Sequence, residues 1–445
     1  MTIGTPLTNP GHRHLSRPHP RGPASRSRSS SRTRVGAILH WKPESLLGPA
    51  LMSIVVVVAP VDPTFALRTG AIIAAAALVV SLKALSTTWV DLWAVLYALW
   101  IAASNYWSID SAATELSSIN TAACVVLFIA VRTVAFTRNK WLTTAGALVV
   151  GCVYVVYRIF ADNQLQAITW TLDSTGTRYA LANVNANYLA YSLVTTIAIL
   201  LLIMGSATRR NRVLLLGLCV VFYIGVIQAG TRGALLGITL GVAWGGLNWA
   251  VRFKTSRALG YLLFALLIVA TSIAAGALQR ALLGRISSSS RESGDLNGRL
   301  TVWPMARDRW SENLWLGQGA GTFPSTNAIH IAAHNFVLDI GSGVGMVGVA
   351  LFILVLYRAL WTETLRMAAR VSLVGAYALT SAPLLLTGFW IESPCFWLGL
   401  GLLTRAHTLS SRQMTKTLEG GADSFPDTSD PVRPLSGSPG WQRRP

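Results

Sequence analysis

The stretch NFVLDIGSGVGMVGVALFILVLY, residues 335–357, has the length and apolar character of a membrane-crossing helix. About 20 apolar residues at 1.5 Å each cover the hydrocarbon core of a bilayer. Similar runs recur near 46–60, 64–82, 89–104, 116–136, 141–160, 187–205, 212–229, 233–250, 258–277, 371–388 and 389–404, the last two separated by the polar junction from Gly388 to Pro394. Lipid offers backbone amides no partner, so the runs must be helices or a closed barrel, and they lack barrel-type alternation. The expected fold is an all-α, polytopic membrane bundle of about 12 transmembrane helices over residues 46–405, with a long extracytoplasmic loop, 278–334, between helices nine and ten. Residues 1–45 and 406–445, polar and rich in Arg, Ser and Pro, read as disordered cytoplasmic tails.

Composition agrees. The 445 residues are 52% hydrophobic and 12% charged. A soluble domain carries about a quarter charged residues, so a water-soluble enzyme is excluded, as is a wholly disordered chain. The net charge of +19 would suggest nucleic acid on a soluble protein. Here eight basic residues lie in the first 42 positions, which contain no acid, and many others fall in alternate loops, so no nucleic-acid partner is expected. Basic tails suit anionic lipid headgroups. Cys124, Cys152, Cys219 and Cys395 lie in or beside apolar runs without CxxC spacing and read as buried hydrophobes.

Lys and Arg orient the bundle. With the N-terminus cytoplasmic, inside loops contain Lys83, then Arg132, Arg138 and Lys140, then Arg209 to Arg212, and finally Arg405 at the C-terminal flank. Outside loops contain Asp62, Asp110, Glu115, Asp162, Asp173 and Glu392. Arg68 and Arg158 fall near outer ends of spans, where they can snorkel.

Against that pattern, outside arginines stand out. Arg178 lies in the loop 161–186, and Arg299 lies in the long loop. Arg232 sits in the short connection AGTRGA between two apolar runs, where a charge is costly without a partner. Gly230 and Gly233 allow a bend and close backbone approach there. Two readings stand: a site for a lipid phosphate, or an arginine that snorkels or pairs with a loop carboxylate. In the long loop, Leu300, Trp303, Ala306, Trp310 and Leu314 recur at helical spacing, with Pro304 fitting a first turn. The run GQGAGTF, 317–323, is either a phosphate cradle or a flexible turn; it matches neither a Walker A nor a dinucleotide loop. Asp295, Asp308 and Glu312 read as solvated or paired with arginine. His334 heads the next membrane helix, where the imidazolium is disfavoured and the neutral, proton-accepting form persists. It is either a general base or an interfacial histidine. His330, four residues earlier, would share its face on a helix, but two histidines make a poor metal site and no metal is expected.

Four segments together resemble the O-antigen ligase and O-antigen polymerase superfamily of bacterial envelope glycan assembly. They are Trp-Ser-Ile-Asp at 107–110; Arg178 with ANVNANYLA at 182–190; AGTRGALL at 229–236; and Gly-Arg at 298–299 with Trp303, LGQGAGTF and Ala-His-Asn at 333–335. The sequence departs from the family's pattern at Thr231, where a Ser is expected, and in the Asn-Val-Asn-Ala-Asn run. The resemblance implies a GT-C-like integral-membrane glycosyltransferase in the inner (plasma) membrane. Such an enzyme moves a glycan from undecaprenyl diphosphate to a hydroxyl of a glycan, lipid or protein acceptor, without metal or cofactor. It further implies that Arg232 and Arg299, with Arg178, bind the diphosphate and that His334 supports transfer. The alternative is a twelve-helix secondary transporter of a sugar or lipid. Charged residues are sparse within the spans, and transporters often need them there.

Overall fold

The computed structural model describes residues 44–161, 184–204, 207–229, 231, 233–241, 299–360, 385–386 and 391–406. Among these the regular structure is helical, with no strand. In chain order the helices are α1 (Glu44–Val58), α2 (Pro63–Val80), α3 (Trp89–Ala103), α4 (Ser111–Val134), α5 (Arg138–Ala161), α6 (Ala186–Met204), α7 (Arg209–Gln228), α8 (233–241), α9 (Arg299–Glu312), α10 (Thr322–Thr326), α11 (Phe336–Leu360) and α12 (394–406). Six of the described helices, α2, α4, α5, α6, α7 and α11, are long and apolar enough to cross a membrane. The expected span 258–277, the span 371–388 apart from residues 385–386, the tail residues 1–43 and 407–445, and the loop residues 278–298 lie outside the described residues.

Local chemistry sets the helix starts. Asp62 caps α2 by accepting the Phe65 amide at 2.9 Å, with Pro63 at the first helical position. Thr88 and Asp91 form a capping box at α3. Asp110 caps α4 by accepting the Ala113 amide at 3.1 Å. This cap starts α4 before the apolar run expected from residue 116. Its first turns are polar, but they face partners: Ser118 donates to the Thr114 carbonyl at 2.7 Å, and Ser117 donates to Glu392 at 2.5 Å. A hydropathy count misses these first turns, whose polar groups are satisfied inside the bundle.

Contacts between distant segments sort the loops into two ends. At one end Arg132 of α4 pairs with Asp91 and donates to Thr88 at the start of α3. There too Arg405 of α12 donates to the carbonyls of Ala135 and Phe136, and Trp141 donates to Leu402. At the other end the segment 104–110, the glycine-rich loop and Glu392 meet. Each of these two groups joins loops that the sequence places on one and the same side. Between the ends, Tyr97, Phe128, Phe352, Phe396 and Trp397 pack ring against ring and tie α3, α4, α11 and α12 together. All four cysteines are buried and free.

The helix that opened the sequence reading is not continuous. At Val344 and Gly345 the backbone of α11 leaves helical geometry, with Gly345 at φ 67°. The freed polar groups find partners elsewhere: Trp100 Nε1 donates to the Val344 carbonyl at 3.0 Å, and the Met346 amide donates to Leu314 at 2.9 Å. Broken backbone at membrane depth is tolerated only where protein re-satisfies it. A Cβ on Gly345 would run into the Trp315 carbonyl, in a backbone region that L residues rarely adopt. Gly345→Ala is therefore expected to destabilise the protein by at least about 2 kcal/mol, from strain and overpacking together. Thermal unfolding of the purified variant measures this; an unchanged midpoint would mean that the break needs no glycine.

Candidate functional site

The candidate site is built at the start of α11. In α9, Val302 and Ala306 are buried with Phe323 and Ala333, and Trp303 packs beside them. Trp303 Nε1 donates to the Ala333 carbonyl at 2.9 Å, fixing the residue next to His334. Asn327 closes the preceding turn by donating to the carbonyls of Phe323 and Ile331 at 2.6 and 2.9 Å. Asn335 then caps α11, its side-chain oxygen accepting the Val337 amide at 3.0 Å.

His334 sits in this frame at φ 55°, in the left-handed region that a residue with a Cβ rarely adopts. It is half-buried. Burial, and secondarily the Arg299 guanidinium, push its imidazole down to about 4, so it is neutral at physiological pH. The direction agrees with the sequence expectation; the cause is desolvation and a nearby cation, not the helix end alone. Arg299 opens α9 one turn before Trp303, so one helix presents both the cation and the indole that holds the histidine segment. Of the four expected site residues, the structure brings Arg299 and His334 together. Arg178 and Arg232 lie outside the described residues. Beside Arg232, Thr231 donates to the Asn187 side chain at 3.1 Å, which joins the AGTRGALL and ANVNANYLA segments. The hydroxyl expected from a serine is thus supplied by threonine.

Several expectations are corrected. GQGAGTF is neither a phosphate cradle nor a flexible turn. Its Gln318 and Gly319 amides donate to the Ser342 and Gly343 carbonyls of α11 at 3.0 and 2.7 Å, so these amides are already engaged. Gly317, Gly319 and Gly321 all have positive φ, and a Cβ on Gly317 would strike the backbone of Gly343. The Trp-Ser-Ile-Asp segment clasps this loop: Trp107 Nε1 donates to Leu316 at 3.0 Å, and the Ile109 amide donates to Gln318 at 3.0 Å. The loop helix ends at Glu312, before Leu314, and Pro304 lies inside it, not in its first turn. Its buried face is Val302 and Ala306; Trp310 instead packs against Gly341 and donates to Leu314. Residues 329–335 are not helical, so His330, which is exposed, shares no helical face with His334. Asp308 pairs with Arg307 at 3.0 Å on the surface, and Glu312 accepts from Gln318, in line with a solvated or arginine-paired role; Asp295 lies outside the described residues.

Two acids carry more structure than the sequence reading gave them. Glu392 accepts from Ser117 and Asn120 at 2.5 and 3.1 Å, and Asp339 binds the amides around His334. Both line a small cavity with Tyr97, Thr121 and Gly321. The signal for Asp339 was present as an acid inside an apolar run, which a membrane protein seldom keeps without a use.

An O-antigen ligase family model matches residues 217–353, from within α7 through Arg299 and His334 to the second half of α11. Over this segment the chain is similar to the O-antigen ligase family. No curated protein matches the chain. The ligase match covers AGTRGALL, the loop helix and the Ala-His-Asn segment, while Trp-Ser-Ile-Asp and Arg178 fall before it. Together with the apolar helices, the ligase domain marks a multi-pass membrane protein with a role in glycan transfer.

Proposed function

We propose that this protein is an integral-membrane glycosyltransferase that takes a glycan from undecaprenyl diphosphate and gives it to an acceptor hydroxyl on a glycan, lipid or protein. It acts as a ligase or a polysaccharide polymerase in the plasma (inner) membrane, with both termini cytoplasmic and without metal or cofactor. The observation that carries this reading is His334, held in a left-handed turn at the start of α11 near Arg299, within the matched segment. In the reaction, a bond forms between the acceptor oxygen and the anomeric carbon while the bond from that carbon to the diphosphate breaks. The acceptor proton passes to the imidazole of His334, and the electron pair leaves with the lipid diphosphate. Negative charge therefore grows on the leaving group, where Arg299, with Arg232 and Arg178, stabilises it.

The test is transfer by the purified full-length protein in vesicles containing undecaprenyl-diphosphate-linked glycan and an acceptor. Arg299→Ala is expected to lower the rate by about 10²–10³-fold, the usual cost of removing one group that stabilises a transition-state charge. Wild-type rates in this variant, or uptake of free sugar or lipid with no glycan joined to acceptor, would overturn the reading.

A further inference from the structure

The peptide carrying His334 is gripped from the helix behind it. Asp339 accepts the Ala333 amide on Oδ1 at 2.8 Å and the Asn335 amide on Oδ2 at 3.0 Å. One carboxylate thus brackets His334, binding the residue before it and the residue after it. This is more than a helix cap, because Asn335 already caps the Val337 amide. Ala333 is in addition held through its carbonyl by Trp303. The result is a backbone fixed at φ 55° at His334, a strained conformation that persists only when its surroundings over-determine it. His330, the other described histidine at positive φ, is bracketed by a neutral amide instead: the Ile329 and Ile331 amides donate to Asn327 Oδ1 at 3.1 and 3.4 Å.

We propose that Asp339 is the positioning residue for His334: its two oxygens fix the left-handed turn and thereby aim the imidazole at the acceptor hydroxyl beside Arg299. The aim toward an acceptor rests on the glycosyltransferase reading; the grip itself rests on the hydrogen bonds alone. Asp339 touches no reacting atom in this scheme. The charged groups facing this corner are Arg299 from α9 and Glu392, which lines the same cavity and is bonded to Ser117 and Asn120 of α4.

The experiment uses the full-length protein in vesicles, with Asp339→Ala, Asp339→Asn and Asp339→Glu. The first readout is carbethoxylation of His334 by diethyl pyrocarbonate, followed by mass spectrometry and referred to the exposed His330. The second is glycan transfer, resolved into kcat and the KM for acceptor. Asp339→Ala is expected to change the His334-to-His330 modification ratio several-fold and to lower kcat with little change in KM. Asp339→Asn, which keeps one acceptor oxygen, is expected to fall between it and wild type, and Asp339→Glu to restore part of the rate. If Asp339→Ala does not fold, Asp339→Asn is read in its place. A modification ratio equal to wild type overturns the proposal, even where transfer is lost. A changed ratio in a protein that shows no glycan transfer at all leaves the grip standing and removes the glycosyltransferase reading instead.

Discussion

Replacing His334 with alanine is expected to lower glycan transfer by about 10²–10⁴-fold, the range for losing a positioned general base. Stability should barely respond, because the peptide is held through its backbone by Trp303, Asn335 and Asp339 rather than through the imidazole. The pH profile of the wild type gives the same residue a second signature. A base must be neutral to accept a proton. The folded pKa of about 4 lies below the ordinary histidine value of 6.5, so the neutral form dominates at pH 5.5, where a solvent-exposed histidine would be mostly charged. Transfer should therefore persist through pH 5 and fall only as pH drops toward 4. The same shift acts on stability: the unfolded chain takes up a proton first, so stability attributable to this group is complete above pH 6.5 and is lost as pH falls from there through 4. An acid limb centred near 6.5 would remove the neutral, buried histidine from the mechanism.

The largest structural effect is expected at the opposite end of the bundle. Arg132 and Asp91 form an ion pair whose side chains are only 6% and 9% exposed, and Arg132 also donates to Thr88. Removing one member leaves the other charge buried without its partner, which typically costs about 3–5 kcal/mol. Arg132→Ala should accordingly unfold at much lower temperature than wild type in detergent, whereas Asp91→Ala combined with Arg132→Ala should recover much of the loss, since no orphan charge remains. A double variant as unstable as the single one would show that the hydrogen bond to Thr88, not charge pairing, holds α3 to α4.

The helices were legible because their signal is one-dimensional. A run of apolar residues must bury itself in lipid, whatever its neighbours do, so α5, α6 and α7 begin and end within a few residues of expectation. The basic residues likewise grouped the 83–91, 132–141 and 405 regions, whose side chains meet in the structure. What escaped was chemistry depending on partners far away in sequence. Ser117 and Asn120 in the polar first half of α4 find their partner in Glu392, hundreds of residues later. The glycines at 317, 319 and 321 suggested a ligand or a loose turn because nothing local reveals that the carbonyls of Ser342 and Gly343 would be waiting for the neighbouring amides. For the site, residue type and position relative to the bilayer were enough to select His334 and Arg299. They were not enough to find Asp339, whose importance lies in two hydrogen bonds pointing backward along the chain.

The interruption in α11 has a consequence for how such a protein can diversify. The carbonyls and amides that the helix gives up at residues 342–346 are the ones that engage residues 314–319 and Trp100. The loop 314–319 and the break in α11 therefore share a single hydrogen-bonding inventory. Reshaping the loop 314–319 would require compensating changes in α11, so loop and helix must evolve as one.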